Sequence, residues 1–178
     1  MKKIISFRNR IPKDYFVTKG CGSSDITVHA GSYHLALKNA GIQMMNIMTY
    51  SSILPPIANK LSTPNEIKHG EVAEVIMSCC TKQKGEICTA GIIYGWLYDK
   101  NTKEKFGGLV CEREGSLTEI EMEDELRKSL NELYINGYSE NYILKDEEIF
   151  IESFIPDKKW GTAIVALVFQ NYVTEIEE

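Results

Sequence analysis

With 178 residues, the chain is long enough for one compact domain, and its hydrophobic fraction of 43% is close to that of ordinary globular proteins. The formal net charge of −5, with acidic and basic residues mixed along the chain, argues against a protein that binds nucleic acid through a clustered basic surface. The longest apolar stretch, residues 163–169, is far shorter than the roughly 20 residues of a membrane helix, so no membrane span is expected.

The start of the chain and its cysteines indicate a cytoplasmic protein. The first residues are basic but reach Arg8, Arg10 and Pro12 without the apolar segment of a signal peptide. The five cysteines include no Cys-x-x-Cys pair, so neither a disulfide framework nor a zinc site is expected. We therefore predict buried, reduced thiols and no bound metal.

The first predicted elements are a helix and a strand. In residues 31–40, apolar side chains recur at the spacing of one helix face. Ser32 is a candidate N-cap, and Gly41 stands where this helix would end. Residues 42–50 are rich in Met, Ile and Tyr and predict a strand.

Two polar turns separate the next predicted strands. Residues 82–85 have the composition of a hairpin turn, and residues 100–103 form a second turn. The strands around these turns cover residues 71–80, 87–98 and 106–113. Short turns between consecutive strands are typical of antiparallel sheets.

A second helix is predicted over residues 117–135. Ser116 and Glu119 have the spacing of a capping box, and Gly137 would end the helix. One face is rich in leucine and the other is charged, so this helix is expected to cover a core on one side only. Two further strands are predicted, at residues 147–154 and at the apolar residues 162–172. Consecutive strands with two covering helices make an α+β sandwich.

Residues 46–56, which read Asn-Ile-Met-Thr-Tyr-Ser-Ser-Ile-Leu-Pro-Pro, carry the candidate chemistry. Without further information they are a strand that ends in a turn, because the two prolines forbid further ladder pairing. A strained strand end is also a place where a serine hydroxyl can attack the carbonyl carbon of the residue before it. Ser51 and Ser52 offer that arrangement, so both interpretations are open on these residues alone.

The same segment resembles the pyruvoyl-dependent arginine decarboxylases. The resemblance is carried by Asn46, by the Ser51–Ser52 pair with the Ile-Leu-Pro-Pro that follows it, and by Ala-Gly-Ile at residues 40–42. Outside this segment it extends to the upstream loop 22–25, the strand 108–112 and the strand start 161–163. It spans about residues 14–173 in all.

Membership of that family would make the chain a proenzyme that cuts itself between Ser51 and Ser52, giving chains 1–51 and 52–178. Ser52 would become a covalent pyruvoyl group, which serves as the electron sink when carbon dioxide leaves the substrate. Neither a metal nor pyridoxal phosphate is then expected. Asn46 would donate a hydrogen bond to the oxyanion of the cleavage reaction, a contact typically worth ~3 kcal/mol.

The resemblance also implies that Glu112 is the acid that reprotonates the substrate carbon. A carboxyl group donates a proton near neutral pH only if its pKa is raised, so Glu112 is expected to be largely buried. Ile53, next to the cut, is expected to contact the substrate. Two alternatives are open for this strand. Glu112 is an ordinary surface residue in the first, and Cys111 is a thiol nucleophile in the second. No histidine is near Cys111 in sequence, which argues against the second.

The architecture that the family implies is an αββα sandwich of antiparallel sheets with covering helices. It would assemble as a homo-oligomer, a trimer or a dimer of trimers, with sites at subunit boundaries. Ser52 of one subunit would then meet Glu112 of a neighbouring subunit.

One position departs from the family pattern. The family has an aspartate in the first helix that pairs with the substrate guanidinium, and this chain has His34 there. A carboxylate receives a guanidinium in a bidentate pair, whereas a neutral imidazole offers one acceptor and a protonated one repels the cation. Either another acid such as Asp25 binds the guanidinium, or the substrate is not arginine.

Arginine, converted to agmatine and carbon dioxide, is the predicted amino acid substrate. Two alternatives stay open: a different amino acid that suits His34, and a catalytically silent oligomeric paralogue that keeps only the fold. The joint presence of Asn46, Ser51, Ser52 and Glu112 favours the enzyme, because a scaffold needs none of them.

Overall fold

The computed structural model describes residues 6–7, 9–174 and 176–177. These residues form strands and two covering helical segments. The strands are β1 (Ser6–Phe7), β2 (Ile11–Pro12), β3 (Asp14–Ser24), β4 (Asn46–Thr49), β5 (Ile53–Leu54), β6 (Asn59–Lys60), β7 (Val72–Gln83), β8 (Cys88–Asp99), β9 (Lys105–Gly115), β10 (Tyr142–Phe154), β11 (Trp160–Phe169), β12 (Tyr172–Val173) and β13 (Ile176–Glu177). The helices are α1 (His34–Asn39), which continues a π-helical turn at Val28–Tyr33, and α2 (Glu119–Gly137).

Two sheets face each other. The first sheet has the strand order β4-β7-β11-β3-β6, and the second has the order β10-β8-β9-β5. The long strands pair antiparallel in both sheets, while the edge strands β4 and β6 pair parallel to β7 and β3. Two short pairs, β1 with β13 and β2 with β12, join the ends of the chain.

Alternation along β11 shows how the layers are built. Val165 and Leu167 face the core between the two sheets, whereas Ile164 and Ala166 face α1, and all four are fully buried. A separate cluster, which includes Leu126 of α2, fills the space between that helix and the second sheet. The predicted αββα sandwich is therefore confirmed, and β11 lies at the centre of the first sheet, between β7 and β3.

The first long strand, β3, has no counterpart among the predicted strands, and the family resemblance implied a loop at residues 22–25. The reason is packing against the helical segment. A Cβ atom on Gly20 would lie 2.6 Å from the Ala36 carbonyl oxygen, and one on Gly22 would lie 2.5 Å from the Leu35 Cβ atom. Glycine therefore lets the helix approach the sheet closely here, and the expectation from the resemblance that residues 22–25 form a loop is wrong as far as Ser24.

The start of α2 differs from the predicted capping box. The box uses Thr118 and Glu121 in place of Ser116 and Glu119. The Glu121 amide donates to Thr118 Oγ1 at 3.3 Å, and the Thr118 amide donates to Glu121 Oε2 at 2.8 Å. Both pairs have the three-residue spacing that the motif requires, and the structure uses the pair with Thr118 because the helix begins at Glu119.

The predicted strand 42–50 is shorter in the structure, because residues 41–45 form turns before β4 begins. None of the helices in the described part of the chain is both long and apolar enough to cross a membrane. The first five residues, on which the signal-peptide argument depends, lie outside the described residues, so the cytoplasmic location stays a prediction.

Candidate active site

The segment with the two serines crosses from one sheet to the other. Before it, β4 pairs with β7, and the Tyr50 amide donates to the Val75 carbonyl at 2.7 Å. After it, β5 pairs with β9, and the Val110 amide donates to the Ser52 carbonyl at 3.0 Å. The backbone at Ser51 is thus held from both sides at the open edge of the sandwich.

The crossing brings Ser52 to Glu112, 60 residues later in the chain. The Ser52 hydroxyl donates to the Glu112 carboxylate, at 3.1 Å from Oε2 and 3.3 Å from Oε1. Glu112 reaches this position because it lies two residues after Val110, on the same face of β9. A hydroxyl that donates to a carboxylate has an acceptor for its proton when the oxygen attacks an electrophile.

Glu112 departs from two expectations in the single chain, and because both concern an oligomer they stay predictions. Its side chain is exposed, although it was expected to be largely buried. The contact with Ser52 also forms within one chain, whereas it was predicted between neighbouring subunits. The register of β5 against β9 explains the second difference, because it places Ser52 beside Val110 without help from another copy.

The carbonyl that Ser52 would attack is held in a tight turn. The Ile53 amide donates to the Ser51 carbonyl oxygen at 3.1 Å, which closes a three-residue turn around Ser52. A donor on a carbonyl oxygen stabilises the negative charge that develops there during attack. Sequence reasoning missed this backbone donor, because it depends on turn geometry that no residue type signals.

Asn46 has a different partner in the structure. Its side-chain amide donates to the Gly70 carbonyl at 3.0 Å, which ties the start of β4 to the loop before β7. Within the described residues, no hydrogen bond joins Asn46 to either serine of the cut. Its role toward the oxyanion therefore stays a prediction.

Cys111 is poorly suited to act as a nucleophile. Its side chain packs toward α2, on the opposite face of β9 from Glu112. Burial, with a smaller contribution from the Glu112 charge, raises the pKa of the Cys111 thiol to about 11. The thiol is protonated at neutral pH, and it is the thiolate that attacks.

An apolar cavity lies directly after the cut. Ile53, whose side chain is 54% exposed, lines a space of about 180 Å³ together with Phe106 and Tyr138. The other lining residues are Leu54, Pro55, Pro56, Leu97, Gly107, Gly108 and Leu109. The cavity places Ile53 where an aliphatic chain could lie, and sequence reasoning missed Phe106 and Tyr138 because they come from distant elements.

The two residues considered for guanidinium binding lie apart from each other. His34 is exposed and lines an open pocket of about 390 Å³ with His29, Tyr33 and Leu37, and the residues lining this pocket include no carboxylate. Asp25 does not line it; its carboxylate accepts a hydrogen bond from the Lys159 amide at 3.1 Å. Among the described residues, therefore, no carboxylate lines the pocket beside His34.

Cation-binding side chains do not cluster in the described residues. No group of three or more His, Cys, Asp or Glu side chains in that part of the chain is arranged to hold a metal ion. Whether the reaction needs a metal or pyridoxal phosphate is not tested by this observation, and the expectation that it needs neither stays a prediction.

Comparison with known proteins identifies one family. The family model described as pyruvoyl-dependent arginine decarboxylase matches residues 14–174. A pyruvoyl-dependent arginine decarboxylase of Thermoplasma volcanium is 24% identical over 180 residues, which cover 89% of this chain and 96% of that protein.

Other relatives match more strongly over a shorter region. The pyruvoyl-dependent arginine decarboxylase of Methanococcoides burtonii is 39% identical over 74 residues, which cover 38% of this chain and 38% of that protein. Pyruvoyl-dependent arginine decarboxylase 1 of Methanosarcina acetivorans is 38% identical over 71 residues, which cover 38% of this chain and 42% of that protein. These two matches therefore span less than half the length of the relatives.

Proposed function

Because the chain belongs to the pyruvoyl-dependent arginine decarboxylase family, we propose that it is itself a self-cleaving enzyme that converts arginine to agmatine and carbon dioxide. The observation that carries the proposal is the contact between the Ser52 hydroxyl and the Glu112 carboxylate, on a backbone segment held between two sheets. The proposed products of the cut are chains 1–51 and 52–178.

The cleavage needs only residues of this chain and one water molecule. Ser52 Oγ attacks the Ser51 carbonyl carbon while its proton passes to Glu112. The bond from that carbon to the Ser52 nitrogen then breaks as the nitrogen takes up this proton, which leaves an ester and a free amine. Loss of the Ser52 Cα proton then breaks the bond between Cβ and Oγ, which frees Ser51 as a carboxylate. Water replaces the nitrogen of the remaining unsaturated residue, and ammonia leaves. The Ile53 amide, 3.1 Å from the Ser51 oxygen, stabilises the charge on that oxygen.

The residues around Ser52 fit a pyruvoyl group. Once formed, the group supplies an electron sink for the electron pair left behind when carbon dioxide departs. Ser52 is only half-buried, so a substrate can reach it, and the apolar cavity begins at the next residue, Ile53. Glu112, within hydrogen-bond distance of Ser52 Oγ, is the proposed acid that returns a proton to the substrate carbon.

A homo-oligomer is part of the proposal. Large apolar side chains are exposed on the edge that carries the cut: Met48 (54%), Ile53 (54%), Val72 (55%) and Phe106 (50%). Exposed apolar residues grouped on one edge mark an interaction surface. We propose that another copy covers this edge, in a trimer or dimer of trimers, and lowers the exposure of Glu112.

Intact mass under denaturing conditions tests the proposal. We expect two masses, for residues 1–51 and 52–178, with the larger fragment lacking a free amino terminus and reacting with a carbonyl reagent. The same sample should release carbon dioxide from arginine and form agmatine, with ornithine and lysine as comparison substrates. A single uncut chain after long incubation would contradict self-cleavage and favour the silent paralogue.

A further inference from the structure

A buried carboxylate that the proposed chemistry does not use lies beside the crossing segment. Glu74 of β7 is only 2% exposed, and its backbone pairs with Met48 of β4, the strand that leads into the cut. It lies two residues before Ile76 and so faces the space between the two sheets. Burial of a carboxylate lowers the stability of the fold unless the carboxylate is paired with an opposite charge. A partner for Glu74 is therefore expected.

Arg10, near the N-terminal end of the described residues, supplies the positive charge that pairs with Glu74. Its guanidinium contacts the Glu74 carboxylate and also lies over the ring of Tyr172, 4.9 Å from the ring centroid. Arg10 directly precedes β2, which pairs with β12, so the cation is held by backbone pairing on its own side. The ion pair therefore links β7 to the start of β2 and, through the pairing of β2 with β12, to the segment that carries Tyr172.

Tyr172 supplies the aromatic ring over which the Arg10 guanidinium of this ion pair lies. Its hydroxyl is buried and has no hydrogen-bond partner within the described residues. Burial comes first among the causes that raise the pKa of Tyr172 to about 12, and the neighbouring Tyr50 phenol comes second. Tyr50 in turn lies against Phe169, with ring centroids 6.2 Å apart, and directly precedes Ser51.

We propose that the ion pair between Glu74 and Arg10, acting through the backbone pairing of β7 with β4 and the hydrogen bond from the Tyr50 amide to the Val75 carbonyl, positions the Ser51–Ser52 peptide for self-cleavage. The inference rests on the proposed function. These residues touch neither substrate nor the reacting atoms, so they are positioning residues. Their effect is expected on the rate of the cut and not on the decarboxylation that follows it.

The test separates the two rates. In Glu74→Gln and Arg10→Ala, we expect the appearance of the 52–178 fragment to slow roughly tenfold or more, whereas turnover per pyruvoyl group, counted with a carbonyl reagent, stays within about twofold of wild type. Arg10→Lys keeps the charge and should restore most of the cleavage rate.

A second ion pair provides the matched control. Lys19 Nζ lies 3.4 Å from the Glu152 carboxylate, between β3 and β10. Lys19→Ala and Glu152→Gln report what loss of a comparable ion pair does to folding, measured by urea unfolding. Slower cleavage in the Glu74 and Arg10 variants at equal stability to these controls would support the inference.

Tyr172 keeps the test decisive if Glu74→Gln does not fold. Tyr172→Phe retains the ring under Arg10 and should cleave at the wild-type rate, whereas Tyr172→Leu should be slow. Cleavage at the wild-type rate in the Glu74, Arg10 and Tyr172→Leu variants would overturn this inference alone. A wild-type chain that never cleaves would overturn the proposed function as well.

Discussion

Ser52 is the residue on which both proposed reactions depend. Its hydroxyl is the proposed nucleophile of the cut, and its carbon atoms would become the pyruvoyl group. Ser51 contributes only its carbonyl, and its side chain is exposed. The two neighbouring serines therefore have separable roles, which substitution can tell apart.

Ser52→Ala should stay a single chain and show no decarboxylase activity, because no oxygen is left to attack the Ser51 carbonyl. Ser51→Ala is the matched control and should still be cut, since the attacked carbonyl belongs to the backbone. Denaturing mass spectrometry measures both. A cut product from Ser52→Ala would rule out the proposed chemistry.

Glu112→Gln removes the proposed proton donor while keeping its shape. We expect turnover per pyruvoyl group to fall by about 10²-fold or more, the usual range for loss of a general acid. Glu114→Gln, an exposed residue two positions further along β9, should have no such effect. Counting pyruvoyl groups in each sample keeps incomplete cleavage from being mistaken for slow turnover. Wild-type turnover in Glu112→Gln would remove this residue from the mechanism.

His34→Asp tests the departure from the family pattern. A carboxylate in this pocket can pair with a guanidinium, and a hydrogen bond between charged groups is worth about 1.5–3 kcal/mol, so kcat/KM for arginine should rise roughly tenfold or more. His69→Asp makes the same charge change in a polar loop and should leave kcat/KM unchanged. If His34→Asp also has no effect, a different residue recognises the substrate side chain.

At the scale of elements, the close approach of the helical segment to the first sheet is the feature most sensitive to substitution. Gly22→Ala would place a methyl group within 2.7 Å of the Ala36 amide nitrogen and 2.5 Å of the Leu35 Cβ atom. Overpacking of this kind should lower the free energy of unfolding by about 1–3 kcal/mol. Gly137→Ala, at a helical position with open space around it, is the control and should be neutral or stabilising. Urea unfolding compares the two.

Most elements could be predicted because their patterns are local. The continuous apolar run of β11 and the charged outer face of α2 follow directly from residue order. β3 could not be recognised, because the role of Gly20 and Gly22 depends on a helix that packs over them. A glycine that makes room for a neighbour cannot be told from one that makes a turn until the neighbour is in place.

The site was predictable in part for a similar reason. Ser52 and Glu112 were identified from the resemblance of their segments to one family, and the structure brings them together. The exposure of Glu112 and the donor at Ile53 depend on strand register and turn geometry, which residue types do not specify. The buried Glu74 carries no sequence signal, because a single glutamate in a strand looks like any surface residue.

At the scale of the whole molecule, the proposed cut falls between sheets and not within one. Chain 1–51 would contain β3, which pairs with β11 from Tyr15 to Ser24, and β4, which pairs with β7. It would also contain α1, packed on the same sheet. Both products would therefore keep their places in the sandwich after the bond is broken.

Refolding should distinguish the cut protein from the uncut one. After unfolding in urea, Ser52→Ala should regain its structure to the same extent at every protein concentration, since all its strands belong to one chain. The cut protein must bring two chains together, so its yield should fall as it is diluted. Circular dichroism after dilution from urea measures both. Equal yields at all concentrations would mean that chain 1–51 is not needed for the fold.

Because the proposed cut lies in the segment that crosses between the sheets, the protein should refold differently before and after it. Before the cut, β3 finds β11 as part of the same chain, at the high effective concentration that a covalent link provides. Once the proposed cut has removed that link, unfolded protein can refold only when the two separate chains associate. The lifetime of the folded, cut protein would then be set by its unfolding rate and not by its free energy of unfolding.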